Sequence, residues 1–301
     1  MPEREIEKVL LAKENGVATI FLGGPEEKIA VLSQARMNSL RTHLSELASD
    51  SSLRGLLITG ASASGFCAGA NIEEILHIDQ ADEGRRLAKG GQDIFALIEQ
   101  LKIPTVAFIR GACVGGGCEL VLACQYRILV DLPATKIGLP EVKLGILPGF
   151  GGTQRLPRLV GLPAALDIIL KGKTISAKEA KKIGLANAVY QDEAAKSPED
   201  NFRAQVTLMQ GLIRDGKFPA KHKLSLMDKA LTFTGVGRGV VKRKASAALK
   251  KETKGKYPAP PLALEMAIYG LEKGTALGYE AEAKALGTLA ISPESKSLIH
   301  L

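Results

Sequence analysis

The sequence predicts an α/β fold that passes into a helical C-terminal region. In the first half, short apolar runs rich in branched residues end in glycine. They alternate with stretches whose apolar residues recur every three or four positions, which indicates buried strands alternating with amphipathic helices. After residue 150, helical patterns follow one another with few interruptions. We therefore expect parallel strands joined by helical crossovers, followed by packed helices.

Each predicted strand is bounded by a turn signal. The strands are VATIFLG (17–23), RGLLITG (54–60) and PTVAFIRG (104–111). Between them the helical spacing covers 35–50 and 85–102, the second in spite of two adjacent glycines. The later helical patterns cover 152–171, 177–183, 200–214, 222–233, 240–252, 261–273 and 276–291.

The stretch DGKFPAKHK (215–223) has the composition of a linker between the core and the last helices. It predicts a core domain over residues 1–214 and a helical C-terminal region over 215–301.

Composition limits the class of protein. In a chain of 301 residues that is 46% hydrophobic, no apolar run approaches the ~20 residues that cross a bilayer. The N-terminus has neither a secretory apolar core nor an acid-poor transit sequence, so we expect a cytoplasmic protein, or one of an organelle matrix if the source is eukaryotic. Four cysteines without a CxxC pair, and only four histidines, predict buried thiols and no metal site.

The positive charge is concentrated in one segment. The chain has a net charge of +8, and residues 217–256 hold twelve Lys or Arg against Asp228 and Glu252, so the remainder is close to neutral. Few aromatic side chains accompany this segment. An exposed helical face or a docking surface is therefore favoured over a nucleic-acid site, which would also use aromatic stacking.

A glycine triplet, Gly115 to Gly117, stands where a helix is expected to begin, and Glu119 follows in an otherwise apolar stretch. Glycines there let the backbone approach a ligand, and the first N–H groups of the helix are unpaired donors. The pattern predicts an anion hole next to a buried carboxylate. A tight turn with glycines kept for packing alone is the alternative.

A second small-residue loop lies within ITGASASGFCAGANIEEIL (58–76). Asn71 is expected to cap the helix after it. The N–H of Ala70, at the end of this loop, is then a second candidate donor, and two donors converging on one oxygen make an oxyanion hole.

The segment KIGLPEVKLGILPGFGGTQRLPRLVG (136–161) brings a second carboxylate, Glu141, into an apolar setting after a proline. It lies 22 residues after Glu119, enough chain for a helix to end and a strand to return. A capping or backbone-bonding role for Glu141 is the alternative.

With FCAGANI, GACVGGGCELVLAC and the segment 136–161 in this order and spacing, the chain is identified as resembling the crotonase, or enoyl-CoA hydratase/isomerase, superfamily. The stretches TKGKYPAP (253–260), GYEAEAKALGTLA (278–290) and SPESKSL (292–298) resemble the segment after the hydratase domain in α-subunits of fatty-acid β-oxidation multienzymes and the trifunctional protein. The resemblance implies a crotonase-like fold, a spiral of ββα units.

The resemblance also implies roles for the glycine loops. The oxyanion hole falls on the N–H groups of Ala70 and Gly116, and the main chain of Ala68, Gly69 and Ala70 receives CoA. Asn71 departs from the Asp usual at this place in the family. No metal or redox cofactor is implied, because CoA is part of the thioester substrate.

The resemblance assigns the catalytic carboxylates to Glu119 and Glu141 and implies an enoyl-CoA hydratase. A Δ3-Δ2 enoyl-CoA isomerase, which in the family manages with the carboxylate at the Glu141 position, and a catalytically silent CoA-binding or assembly module are the alternatives. The implied partners are an acyl-CoA thioester and, in association, further copies of the chain or dehydrogenase and thiolase components.

Overall fold

The computed structural model describes residues 9–24, 26–253 and 257–300. Within these ranges the strands are β1 Leu10–Glu14, β2 Val17–Phe21, β3 Ala30–Leu32, β4 Gly55–Thr59, β5 Cys67–Ala70, β6 Thr105–Ile109, β7 Ala112–Val114, β8 Tyr126–Val130, β9 Lys136–Gly138, β10 Thr174–Ser176 and β11 Ala188–Tyr190. The first residues of the chain, and Lys254 and Lys256 of the basic segment, lie outside the described residues.

The helices of the described ranges are α1 Gln34–Ala48, α2 Ile72–Leu76, α3 Ala81–Gln100, α4 Gly116–Leu122, α5 Gly152–Val160, α6 Leu162–Lys171, α7 Ala177–Ile183, α8 Pro198–Arg214, α9 Leu226–Phe233, α10 Gly235–Thr253, α11 Ala259–Lys273, α12 Thr275–Ala290 and α13 Pro293–Ile299. A single-turn 3₁₀ helix, Glu141–Leu144, lies between β9 and α5.

The strands form two sheets. The larger sheet has the order β1-β2-β4-β6-β8-β11, and the smaller has the order β10-β9-β7-β5-β3. The β1–β2 pair is an antiparallel hairpin closed by Asn15 and Gly16, which both take the positive φ that a tight hairpin turn needs. The next pairings across the larger sheet are parallel, as the apolar runs predicted.

Chain order alternates between the sheets. A strand of the larger sheet is followed by a strand of the smaller sheet and then by a helix: β4, β5 and α2; β6, β7 and α4; β8, β9 and the 3₁₀ helix. This succession is the repeated ββα unit that the resemblance implied. The three predicted strands are confirmed as β2, β4 and β6, all of them largely buried.

The predicted helices are confirmed, with differences in their bounds; α9 begins at Leu226 instead of 222, and α10 begins at Gly235 instead of 240. The pattern at 152–171 forms two helices, because Gly161 takes a φ of +86° and ends α5 before α6 begins. Helix α3 begins at Ala81, earlier than its apolar spacing showed, since its first turn is polar. Position 91 of α3 needs a glycine, because a Cβ there would stand 2.3 Å from Cδ1 of Phe150.

The chain divides into two compact units. The first comprises residues 1–70, 94–137 and 175–222, and the second comprises 71–93, 138–174 and 223–301. In the first, α8 packs on the larger sheet through Phe202, Val206, Met209 and Ile213. In the second, a core joins α6, α10 and α11 through Leu162, Leu166, Leu249, Leu264, Ala267 and Ile268. The predicted boundary between 214 and 215 stays a prediction.

The cysteines are buried thiols, as predicted. Cys67, Cys113, Cys118 and Cys124 are all free and buried, and burial raises the pKa of Cys67 to about 12. Within the described ranges, no group of three or more His, Cys, Asp or Glu side chains is placed to hold a metal ion. No helix in the same part of the chain is long and apolar enough to cross a membrane.

Candidate active site

The structure brings the two predicted donor loops together in the first unit. Gly69 in β5 has a φ of +101°, a conformation that side chains rarely adopt. A Cβ at Gly69 would stand 3.0 Å from the carbonyl oxygen of Val114 and 3.2 Å from the amide nitrogen of Gly116. The main chain around Gly69 and Ala70 therefore runs close beside the amide of Gly116.

Helix α4 begins at this point of contact. Gly115 precedes it with a φ of 56°, so Gly116 is the first helical residue and its N–H has no acceptor within the helix. A Cβ at Gly117 would stand 2.7 Å from Cβ of Cys67, so only glycine lets the helix pack on β5. The glycines thus serve packing, because they let the main chains of β5 and α4 approach closely.

Glu119 lies in the first turn of α4 and is only 2% exposed. Its own amide N–H donates to the carbonyl oxygen of Gly115 over 3.0 Å, which places the side chain about one turn from Gly116. The positive end of the helix dipole favours a negative charge there. One short helix therefore carries both the amide of Gly116 and the buried carboxyl of Glu119.

Glu141 lies in the second unit, where it begins the 3₁₀ helix after Pro140. The residue is 8% exposed, and neither carboxylate oxygen accepts a hydrogen bond from another residue that the structure describes. Burial raises the pKa of Glu141 to about 8, and the charge of Glu282 acts in the same direction. The Glu141 carboxyl is therefore mainly protonated at neutral pH and can donate a proton.

Sequence reasoning missed Glu282, a second buried carboxylate of the same unit. Glu282 lies in α12 and is 0% exposed. Its oxygens accept hydrogen bonds from the amides of Gly151 (2.7 Å) and Thr153 (3.0 Å) and from the Thr153 hydroxyl. Nε2 of Gln92 in α3 donates a further bond of 3.1 Å.

The environment of Glu282 perturbs its titration. Burial raises the pKa of Glu282 to about 7. The hydrogen bonds from Thr153, Gln92 and Gly151, and the charge of Arg155, act in the opposite direction. Between the two carboxyls, Glu282 takes the negative charge because it has these donors, and Glu141 keeps its proton.

The sequence does carry a signal for Glu282. Gly278, Glu282, Leu286 and Leu289 are buried and recur at helical spacing, which puts the carboxylate on the apolar face of α12. A charge on such a face needs partners. Its partners lie in α3 and before α5, and no local pattern in the sequence indicates them.

The predicted residues divide between the units. Ala68, Gly69, Ala70, Gly116 and Glu119 belong to the first unit, and Glu141 belongs to the second. The pairing of Glu119 with Glu141 and the CoA contacts stay predictions. Asn71 caps α2 as expected, because its side-chain oxygen accepts a bond of 3.0 Å from the amide of Glu73.

Comparison with known proteins bears on this site. A family model described as "Enoyl-CoA hydratase/isomerase" matches residues 12–229. The fatty acid oxidation complex subunit alpha of Vibrio parahaemolyticus is 40% identical over 285 residues, which is 95% of this chain and 39% of that subunit. This chain therefore spans about two fifths of the length of the relatives that it matches.

Solved structures show the same fold. The enoyl-CoA hydratase of Bacillus halodurans is similar with a TM-score of 0.66 and 23% identity, over 97% of this chain and 98% of that chain. The enoyl-CoA hydratase of Bacillus anthracis is similar with a TM-score of 0.60 and 28% identity, over 89% of this chain and 97% of that chain. The predicted crotonase-like α/β fold with a helical C-terminal region is confirmed.

Proposed function

The chain belongs to the enoyl-CoA hydratase/isomerase family, and on this premise we propose that it is an enoyl-CoA hydratase of fatty-acid β-oxidation. It adds water syn across the double bond of a trans-2-enoyl-CoA and gives the 3-hydroxyacyl-CoA. The observation that carries the proposal is the close approach of the Gly69–Ala70 main chain to the amide of Gly116. Two backbone donors at one place stabilise the negative charge that a thioester oxygen develops.

The reaction needs a base and an acid. As the water oxygen bonds to Cβ, Glu119 accepts a water proton, and the electron pair of the double bond moves onto the thioester oxygen between the N–H groups of Ala70 and Gly116. Glu141 then donates its proton to Cα as the enolate collapses. Proton transfer from Glu119 to Glu141 through solvent restores the starting state.

The environments of the two carboxyls support these roles. Glu119 lies in the first turn of α4, next to the positive end of the helix dipole, which is a favourable place for a carboxylate base. The raised pKa of Glu141, about 8, keeps the proton that an acid needs. The proposed reaction uses no metal or redox cofactor, because the thioester carbonyl itself activates the double bond.

The test is the loss of conjugated-thioester absorbance when the purified chain is mixed with crotonyl-CoA and then with a longer trans-2-enoyl-CoA. We expect rapid loss with the wild type and a decrease of about 10²- to 10⁴-fold in kcat with Glu141→Gln. No loss with either substrate, in spite of measurable CoA binding, would favour the silent CoA-binding module instead.

The chain is also proposed to act beside dehydrogenase and thiolase components in the cytoplasm, or in an organelle matrix if the source is eukaryotic. The name of its relatives, subunits of a fatty acid oxidation complex, supports this association. The exposed basic residues Lys242, Arg243 and Lys244 of α10 are the candidate docking site. We expect the wild type to pull down thiolase, and a variant with Glu at all three positions not to. Equal capture by the two would contradict this docking site.

A further inference from the structure

Helix α12 holds the turn that leads from Glu141 to α5. Glu282 accepts hydrogen bonds from the amides of Gly151 and Thr153 at the end of this turn. The contact is also steric, since a Cβ at Gly149 would stand 2.6 Å from Cδ2 of Leu286. The turn therefore has both a polar and an apolar attachment to the same helix.

The other end of the segment is held by the last helix. Gly145 ends the 3₁₀ helix with a φ of +74°, and a Cβ there would stand 2.8 Å from Cα of Ser295 in α13. The amide of Ile146 donates to the carbonyl oxygen of Glu141 over 3.3 Å. The chain from Glu141 to Thr153 is thus fixed at both ends by the C-terminal helices of its own unit.

Gln92 adds a third attachment. Its Nε2 donates to Glu282, to the carbonyl oxygen of Tyr279 over 3.0 Å and to that of Gly149 over 3.1 Å. Glu282 thereby joins α3, α12 and the turn before α5. Burying a carboxylate costs desolvation free energy. An apolar side chain packed at the same place would not have this cost.

We propose that Glu282 is a positioning residue for the hydration reaction: it ties the turn after the Glu141 helix to α12 and so fixes the place of Glu141. This inference rests on the proposed function. Glu282 acts through Glu141 and takes no proton from the substrate.

The charge of Glu282 has a second effect on Glu141. A negative charge on Glu282 raises the pKa of Glu141 beyond what burial alone gives, so it helps to keep Glu141 protonated. Glu282 itself faces the cation of Arg155, which lies 5.0 Å above the ring of Tyr279. Removal of the Glu282 charge should therefore lower the pKa of Glu141.

Three other charged side chains on the neighbouring helices are paired elsewhere. Arg85 of α3 pairs with the exposed Glu280 at 2.7 Å. Arg158 of α5 donates to the carbonyl oxygen of Gly270 in α11 over 2.7 Å. Lys296 of α13 donates to the carbonyl oxygen of Ile78 over 2.6 Å.

The test compares Glu282→Gln with a matched control, Glu280→Gln, which changes an exposed carboxylate of the same helix. For Glu282→Gln we expect the alkaline limb of the kcat–pH profile for crotonyl-CoA to move about one pH unit lower, with about fivefold lower kcat at pH 8 and a KM within about twofold. Glu280→Gln should match the wild type. A profile for Glu282→Gln that overlays the control would overturn the inference.

A purely structural role would lower activity without moving the profile. Glu282→Asp keeps the charge on a shorter side chain, so its alkaline limb should stay at the wild-type pH while its kcat falls. If Glu282→Gln does not fold, Glu282→Asp carries the test, and a wild-type kcat in that variant would overturn the positioning role.

A second measurement does not depend on activity. Difference infrared spectra of the protonated carboxyl stretch, recorded over pH and assigned with Glu141→Gln, report the titration of Glu141 directly. The band should disappear at lower pH in Glu282→Gln than in the wild type, and an unmoved band would overturn the electrostatic effect. An inactive wild type with a shifted band would reject the proposed function and keep the link between the carboxyls.

Discussion

Main-chain packing holds Glu119 in the first unit, whereas Glu141 in the second unit depends on side-chain hydrogen bonds from distant helices. Close approaches at Gly69 and Gly117 fix the helix of Glu119 against β5. The turn after Glu141 is held by Glu282, which lies 131 positions from Gly151. The first arrangement is made by main-chain contacts and tolerates no added Cβ, and the second is made by an ionisable side chain.

The proposed base should show the largest effect. Glu119→Gln removes the acceptor for the water proton, so we expect hydration of crotonyl-CoA to fall by about 10²- to 10⁴-fold in kcat. The matched control is Glu199→Gln, which changes an exposed carboxylate in the first turn of α8. Hydration near the wild-type rate in Glu119→Gln would remove this role, and retained Δ3-Δ2 isomerisation alone would favour the isomerase.

The second unit should show the stronger pH dependence of stability. The pKa of Glu141 is raised from 4.5 to about 8 in the folded state, so between these values the folded chain holds a proton that the unfolded chain has lost. The free energy of unfolding should therefore decrease as pH rises through this window, by up to about 1.4 kcal/mol per pH unit for each such proton. Urea unfolding over this range checks the slope. Glu141→Gln should reduce it, and an unchanged slope would contradict a protonated Glu141.

The backbone arrangement of the first unit is tested at Gly69. Gly69→Ala puts a Cβ on a residue with a φ of +101° and against the amide of Gly116, so we expect a loss of about 1–3 kcal/mol in stability together with lower kcat. Gly90→Ala is the control, since Gly90 lies in a helix and an added Cβ there meets nothing within 4 Å. Equal thermal stability of the two variants would show that the close approach is not required.

The smallest effect is expected at Asn71. Asn71→Ala removes the cap of α2 and should lower the free energy of unfolding by about 1 kcal/mol. Asn71→Asp keeps an oxygen acceptor for the amide of Glu73 and should be nearly neutral, since Asn and Asp cap helices equally well. A large gain in kcat with Asn71→Asp would instead show that the missing charge limits catalysis.

The two units also differ in how much of each could be predicted from the sequence. Strands that end in glycine, the loop at Ala68 to Ala70 and the start of α4 were predictable, because turns, caps and buried runs are local patterns. The break at Gly161 was missed because apolar spacing continues across it. Glu282 was missed because its role depends on Gln92 and Thr153, which only tertiary packing brings to it.

The most direct test of Glu141 as the catalytic acid is the pH dependence of kcat for hydration of crotonyl-CoA by the wild type. If Glu141 supplies the proton to Cα from a carboxyl whose pKa is about 8, kcat should fall as the pH rises through that value. A kcat that stays constant or increases through this range would contradict a protonated Glu141 in that role.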